Sequence, residues 1–440
     1  MDYHKIIEEI KKFSKTELDV AEMEDSTIFV SKNFIQMLIH HNNDYETQKG
    51  VIDELIIECI KHLKIMCTKG PSFQNLIVNT NLMLQMLKNV ISNKFPGISK
   101  DQELKCFQLI ANLCVKNEWS QKKIWESMSG IILDNFRSEN NPFVTVSGMI
   151  IYNTILSKAS LVNLKYILQI SLRHYSSFLK NPKNSLPDFV QIILSYVVSG
   201  NEDILEIYKE LESDEQKILL YYIHDHIEDP SNEIINKNFL QHLTMEFKKK
   251  SDCILKTVTT YVDTIDPDII VTLLDIISIA TGQDNYLQIL KDDRALFLNL
   301  GCLLQALHKI GKKSDTIFSP IQKLESLVPT SDVDGNFEKQ ISYAFKTKLV
   351  KSLANLSYRN KRNQELAREM EIMLSIFECT NADARNPLIK EWSILAIRNL
   401  CDDNLENQEI VRQLTKVGDA ENPVLKELGL ESGMLRISKQ

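Results

Sequence analysis

A short residue pattern recurs along this 440-residue chain and constrains its fold more than any other feature. The strings ANLC, ANLS and RNLC contain Asn112, Asn355 and Asn399, and a Gln follows each Asn nine residues later. The last two copies are 44 residues apart, a period typical of armadillo and HEAT repeats. A weaker copy, KIMC, has Ile65 in place of Asn and reaches Gln74 at the same offset. This period predicts stacked helical repeats that bury their apolar faces only against neighbouring repeats.

Apolar residues elsewhere in the chain also follow helical spacing. Leu55, Cys59 and Leu63 are one example, whereas strict two-residue alternation is rare. Thirteen Gly and eleven Pro are few for a sheet-rich or disordered chain of this length. Because one compact bundle of this size is improbable and about ten repeats would fill the chain, the sequence predicts an all-α, armadillo/HEAT-like α-solenoid of roughly ten helical repeats.

The recurring motif also predicts where helices end and begin. Each motif Asn is placed near the end of a long helix, and a polar turn follows, such as residues 359–363. The next helix is then predicted to be capped by Ser120, Asn363 or Asn407, with the motif Gln in its first position. Other predicted helix starts are Ser99 or Asp101, Asn141-Pro142, Asp266-Pro267 and Asn386-Pro387.

The repeats divide the chain into three predicted segments. Residues 1–310 form an N-terminal armadillo-like block, with repeats clearest at 50–157 and divergent at 158–310. Residues 311–340 contain Gly, Pro and Asp-Gly sequences with little apolar periodicity, which predicts a polar loop or linker. Residues 341–440 form a C-terminal repeat block.

Charge and composition exclude several classes of function. A formal charge of -8 gives no electrostatic reason to expect nucleic acid or an anionic membrane as the main partner. The most apolar stretch, residues 269–280, is too short to span a membrane, and the charged N-terminus does not resemble a signal peptide. The eight Cys form no CxxC pair, which predicts buried thiols in the cytosol or nucleus.

The sequence offers no recognisable catalytic or metal site. Phosphate-binding loops, GxSxG elbows and HExxH motifs are absent from it. His224 and His226 are two residues apart, a spacing that points their imidazoles away from each other on a helix. The string from Asp332 to Asn336 hints at a calcium loop, but Tyr343 stands where the twelfth-position Glu would be. We therefore predict no enzyme activity, no catalytic residue, no metal and no cofactor.

The motif Asn residues are the candidate partner-binding residues. In an armadillo solenoid the third helix of each repeat lines the concave groove, where Asn112, Asn355 and Asn399 would lie. One amide both donates and accepts, so it can hold a peptide bond of an extended partner whatever its side chains. The alternative is structural, with each Asn bonding a carbonyl of its own turn or of the adjacent repeat. Asn153, shifted by one position, is a weaker candidate.

A nuclear-transport or cargo adaptor is the second hypothesis. Import adaptors place Trp four residues before the groove Asn, whereas this chain has Gln108, Lys351 and Leu395 there. A groove selective for basic import signals is therefore disfavoured. Packing within or between repeats is favoured over exposed anchoring for the three Trp, which are Trp119, Trp125 and Trp392.

Two groups of strings resemble one known family. The C-terminal strings FKTKLVKSLANLSYRNKRNQ, NPLIKEWSILAIRNLCDDNLENQ and LKELGLE, between Phe345 and Glu431, resemble the C-terminal domain of the ataxin-10 family. The N-terminal strings ECIKHLKIMCTKGPSFQ, CFQLIANLCVKNEWSQKKIW and SGMIIYNTIL resemble the armadillo part of the same proteins. Together these strings cover somewhat under half the chain, in the family's order.

The resemblance implies a non-enzymatic, armadillo-like protein-interaction scaffold. Its implied roles are neuron survival and neurite growth, cytokinesis, and organisation of the centriole or cilium base. Its implied partners are the G-protein β subunit, O-linked N-acetylglucosamine transferase and mitotic kinases, and self-association is left open. Its implied location is the cytoplasm, including perinuclear, centriolar and midbody sites.

Overall fold

A computed structural model describes residues 2–79, 81–92, 95, 97–157, 162–257, 266–313, 316–321, 340–420 and 434–439. Within these residues, the helices of the first part of the chain are α1 Tyr3–Phe13, α2 Val20–Cys67, α3 Pro71–Val78, α4 Asn81–Ile91, α5 Lys100–Leu113, α6 Glu118–Phe136, α7 Asn141–Ile155, α8 Leu164–Lys180 and α9 Asp188–Ser199. The helices that follow are α10 Ile204–Lys209, α11 Ser213–Glu228, α12 Lys237–Lys250, α13 Cys253–Lys256, α14 Pro267–Thr281, α15 Asp284–Leu290, α16 Arg294–Lys313, α17 Phe345–Ser357, α18 Lys361–Glu369, α19 Ile372–Glu378, α20 Ile389–Cys401 and α21 Leu405–Gln413.

The predicted fold class is confirmed: the chain is an all-α, armadillo/HEAT-like solenoid. One short antiparallel pair, β1 Leu414–Ala420 with β2 Met434–Lys439, follows the helices. The backbone forms two compact units, unit 1 from Met1 to Val197 and unit 2 from Val198 to Gln440. Among the described residues, no helix has the length and apolar character needed to cross a membrane.

Each unit is built from helix triplets of the armadillo kind. In unit 2, a short helix precedes two others in the series α15–α16–α17 and again in α18–α19–α20, and the members of each triplet pack together. In unit 1, α3–α4–α5 repeats the arrangement. The next repeat contains α6 and α7, and Met128, with a φ of -142°, divides α6 into two helical parts. The triplet explains the 44-residue period, since one repeat contains three helices and their turns.

Much of the predicted linker, residues 314–315 and 322–339, lies outside the described residues, as does the Asp332–Asn336 string. The described parts on either side both contact the loop that precedes α20. The Ala384 N–H donates to Ile321 O at 2.8 Å, and the Ala344 N–H donates to Arg385 O at 2.8 Å. Buried Lys346 adds a bond of 2.6 Å from its Nζ to Phe318 O. The three-segment division of the chain stays a prediction.

Two predicted helix starts are confirmed and two are corrected. Ser99 and Asp266 cap α5 and α14 through their side chains. Asn141 is already the first residue of α7, so Pro142 occupies the second position. The prediction at Asn386 was wrong, because α20 begins three residues later. Its Oδ1 instead accepts from the Lys346 backbone N–H at 2.9 Å and so caps α17 of the neighbouring repeat.

Six of the eight cysteines are buried, as the sequence predicts; Cys302 is exposed and Cys401 is half-buried. Burial raises the pKa of Cys67, Cys106 and Cys379 to about 12, because a thiolate is poorly solvated among apolar side chains. These thiols are therefore core side chains at neutral pH.

Two buried histidines make stability depend on pH. His62 Nε2 lies 3.1 Å from Ser26 Oγ, and His226 Nε2 lies 2.8 Å from Glu233 O. Burial lowers the pKa of both imidazoles below the ordinary 6.5. Below pH 6.5 the unfolded chain therefore binds more protons at these residues than the folded chain, so acidification lowers the free energy of unfolding.

We expect the urea midpoint to fall between pH 7.5 and pH 5.5, and His226→Gln to reduce that fall. The partly exposed His224 has the opposite effect on the pH dependence of stability, because its hydrogen bond to Asp225 raises its pKa. Histidine-selective NMR checks the assignment: His226 should stay neutral below pH 6.5. An ordinary titration of His226, or an unchanged pH slope in His226→Gln, contradicts this prediction.

Candidate partner-binding face

The helices that carry the motif Asn residues form the candidate face. In unit 2, α11 packs on α14, α14 on α17, and α17 on α20. In unit 1, α2 packs on α5 and α5 on α7. We call these two series the ladder helices of each unit. Of these, α5, α7, α17 and α20 are the last helices of the repeats described above, which is the position predicted to line a groove.

The motif Gln joins successive repeats. Gln74 and Gln364 each occupy the fourth position of their helix, and each side-chain amide reaches the carbonyl seven residues earlier. Gln74 Nε2 also lies 3.1 Å from Asn112 O and from Val115 O in the next repeat. Gln364 Nε2 likewise lies 2.9 Å from Asn399 O and 3.2 Å from Asp402 O. These amides satisfy helix-end carbonyls on both sides of a repeat junction.

The predicted capping residues were wrong by three positions. Ser120, Asn363 and Asn407 are the third residues of their helices. Their backbone N–H groups donate to the side chains of the true caps, which are Asn117, Asn360 and Asn404. The residue before each cap has a positive φ of 50° to 51°, at Lys116, Arg359 and Asp403. This left-handed residue reverses the chain in a tight turn, so the next helix starts earlier than the sequence suggested.

The three candidate Asn residues are not equivalent. Asn399 is buried, and its Nδ2 donates to Ala354 O of the neighbouring ladder helix at 2.9 Å. Asn355 is partly exposed, but its Nδ2 is buried and has no hydrogen-bond partner among the described residues. Asn112 is also partly exposed, and it lies in unit 1. Asn153 donates to Met149 O in its own helix.

This difference predicts unequal effects of the two substitutions on stability. Asn399→Ala should lower the free energy of unfolding by about 1–2 kcal/mol, because it removes a buried hydrogen bond between ladder helices and leaves Ala354 O with only the bond from Ser357 Oγ. Asn355→Ala should change it by less than about 0.5 kcal/mol, because no hydrogen bond within the described residues is lost. Urea denaturation of the two variants, followed by circular dichroism, checks both values. Equal destabilisation would contradict the distinction between the two Asn residues.

Charged and aromatic side chains surround Asn355 on the unit 2 ladder. Lys348 forms an ion pair with Asp275 of α14. Lys351 places its Nζ 5.5 Å from the ring centre of Trp392 on α20, a cation–π contact between ladder helices. A methyl group added at Gly282 would lie 3.7 Å from Asn355 Nδ2 and 3.8 Å from Lys351 Cε, so the end of α14 lies close to both side chains.

The histidine pair behaves as its spacing predicts. His226 is buried against Glu233 O, whereas His224 contacts Asp225 at 3.0 Å. His224, Asp225 and Glu228 bring one ligand atom each within 4.8 Å of one another, close enough to coordinate a metal ion. The two carboxylates are exposed, and such a cluster by itself does not define a metal site.

A known domain and known proteins match this chain. The sequence model of the family described as the spinocerebellar ataxia type 10 protein domain matches residues 345–437. Ataxin-10 of Bos taurus is 26% identical over 390 residues, which cover 86% of this chain and 80% of the relative. Ataxin-10 of Homo sapiens is 26% identical over 393 residues with the same coverage. The chain is therefore similar to ataxin-10 proteins over 86% of its length, as the sequence strings predict.

Other similarities are more local or more distant. The ataxin-10 homolog of Dictyostelium discoideum is 45% identical over 107 residues, covering 24% of this chain and 17% of that protein. The crystal structure of SYS-1 is similar at a TM-score of 0.36 and 13% identity, over 90% of this chain and 72% of that one. The TM-score is too low to carry an argument about this chain.

Two features of the ladder were not predicted from the sequence. The motif Gln was taken as an ordinary first helical residue, although its constant offset of nine was the signal for a contact that recurs from repeat to repeat. The stacking of Lys351 on Trp392 had no signal in the sequence, because the two residues are 41 positions apart on different helices.

Proposed function

We propose that this chain is a non-enzymatic scaffold that holds an extended segment of a partner protein on the ladder face of unit 2. Repeat solenoids offer continuous surfaces of this kind, on which a few anchoring residues supply most of the affinity. Asn355 is the main anchor in this proposal. Asn112 would serve the corresponding face of unit 1, and Asn399 would hold α20 in register with α17.

The observation that carries the proposal is the Asn355 amide. Its Nδ2 has no hydrogen-bond partner among the described residues, whereas the corresponding atom of Asn399 is bonded to a carbonyl. Because Asn355 is partly exposed, rotation of its amide presents a donor and an acceptor to a peptide bond laid along the face. An unpaired buried amide in a native fold needs an explanation, and a bound peptide group would supply one.

The family's cellular roles are proposed with this activity. We propose that the scaffold acts in the cytoplasm and at the centriole or midbody, in neurite growth, neuron survival, cytokinesis or cilium-base organisation. The G-protein β subunit, O-linked N-acetylglucosamine transferase and mitotic kinases are the proposed partners, because the family resemblance implies them.

Affinity capture from lysate with Asn355→Ala tests the scaffold proposal. Wild type, Asn355→Ala and the control Asn238→Ala are immobilised at equal density, and bound proteins are quantified by mass spectrometry. Asn238 is an exposed residue of α12, outside the ladder helices. We expect Asn355→Ala to lose a discrete set of proteins several-fold while its melting temperature and the Asn238→Ala capture stay unchanged. Identical captured sets for all three proteins would contradict the proposal.

A further inference from the structure

The ammonium group of Lys351 is the strongest unassigned feature of the unit 2 ladder. Its Nζ lies over the Trp392 ring, and no carboxylate among the described residues forms an ion pair with it. Lys348, one turn earlier on α17, is instead paired with Asp275. The two lysines therefore differ. Lys348 forms an ion pair with the neighbouring helix, whereas Lys351 contacts an aromatic ring and feels the Asp275 carboxylate only at longer range.

The environment of Lys351 favours an incoming anion. Burial lowers the pKa of Lys351, because part of the hydration of its ammonium group has been removed. The nearby Asp275 carboxylate opposes this shift, and the like charge of Lys348 adds to it. A carboxylate that arrived at this position would restore the lost stabilisation of the charged form. Partly desolvated pairs of this kind are stronger than pairs in open solvent.

The charged side chains differ from one helix of the unit 2 ladder to the next. The α11 end carries the exposed carboxylates of Asp225 and Glu228. In the middle, Asp275 and Lys348 neutralise each other. At the α17 end, Lys351 supplies a positive charge beside Trp392. A segment laid across these helices is therefore complementary when its acidic residue lies over α17 and α20.

We propose that the ladder face of unit 2 selects extended protein segments that carry an aspartate or glutamate, whose carboxylate binds the Lys351 ammonium beside Trp392 and Asn355. The inference rests on the proposed function, since it names the kind of segment that the same face would hold. It is the opposite of the lysine selectivity of an import adaptor, in which Trp-lined slots accept cations. Discrimination of glutamate from glutamine should be about tenfold, as expected for one charge-assisted contact at a half-buried position.

Three peptide libraries test the charge selectivity. Bead-displayed ten-residue libraries carry Glu, Gln or Lys at a fixed central position and random residues elsewhere. Each is panned against wild type, Lys351→Met, Lys351→Glu and the control Lys361→Met, and the affinities of enriched peptides are measured by fluorescence anisotropy. Lys361 is an exposed lysine at the start of α18. Circular dichroism and melting confirm that each variant is folded.

Wild type and Lys361→Met should bind Glu peptides about tenfold more tightly than their Gln counterparts, and Lys351→Met should lose this difference. Lys351→Glu should prefer the Lys library. The charge inference is overturned if the Glu preference survives in Lys351→Met or is absent in wild type. In either case the scaffold proposal still stands, provided that Asn355→Ala weakens binding. If wild type enriches nothing from any library, both proposals are overturned.

Discussion

Gln364→Ala should lower the free energy of unfolding of unit 2 by about 3 kcal/mol, because it removes donors from several buried carbonyls at once. The Gln364 amide is shared among Ser357 O, Asn399 O and Asp402 O, and its Oε1 accepts from Asn404 Nδ2 at 3.2 Å. An amide has two hydrogens, so at most two of these carbonyls are fully bonded at a time. Alanine leaves these groups buried without a compensating bond, which is the costly case.

Gln408→Ala is the matched control for the Gln364 prediction. Gln408 occupies the same motif position, but among the described residues its amide donates only to Cys401 O, at 2.9 Å. We expect a loss of about 1 kcal/mol there. Urea denaturation gives the stabilities, and hydrogen exchange should show faster opening of α17 and α20 in Gln364→Ala. Equal losses at the two positions would show that the contact between repeats adds nothing.

Gly301→Ala should destabilise unit 2 by about 1–3 kcal/mol through overpacking. A Cβ on Gly301 in α16 would lie 2.2 Å from Cδ1 and 2.8 Å from Cγ1 of Ile372, the first residue of α19. Both residues are buried, so neither helix can yield without moving the other. The shift of the urea midpoint measures the effect.

Two further variants separate the clash from the general effect of removing a helical glycine. Gly130→Ala in α6, where nothing lies within 4 Å of the new methyl group, should instead raise stability by up to about 1 kcal/mol. The double variant Gly301→Ala/Ile372→Ala should be less destabilised than the sum of its single variants, since Ile372→Ala removes the clashing atoms. Strict additivity would rule out the close approach of α16 and α19.

The sequence predicted the fold class because the repeat junction is encoded locally. The spacing of Asn355, Leu356 and Gln364 recurs at Asn399, Leu400 and Gln408. This spacing is set by the end of one helix and the tight turn that leads to the next. The cap positions could not be read the same way. They depend on the left-handed backbone conformation of Arg359 and Asp403. A Gly would have indicated this conformation in the sequence, whereas Arg and Asp do not indicate it as clearly.

The candidate face was predicted less completely, because its chemistry comes from contacts between helices. Asn355 and Asn399 are identical in the motif, yet only Asn399 meets a carbonyl of the preceding ladder helix. In the sequence, Lys351 was noted only because it occupies the position at which import adaptors have a Trp. Its significance depends on Trp392, which belongs to the next repeat and reaches it only after the repeats stack.

Site-specific photo-crosslinking tests most directly whether the ladder face of unit 2 holds partner segments. A photoreactive residue replaces Leu395, which lies between Trp392 and Asn399 on α20, or Leu405, which is 77% exposed on α21. Irradiation in lysate should give discrete products from position 395 that weaken several-fold when Asn355→Ala or Lys351→Met is added, and little product from position 405. Equal products from both positions, or products from 395 that neither substitution changes, would contradict the account.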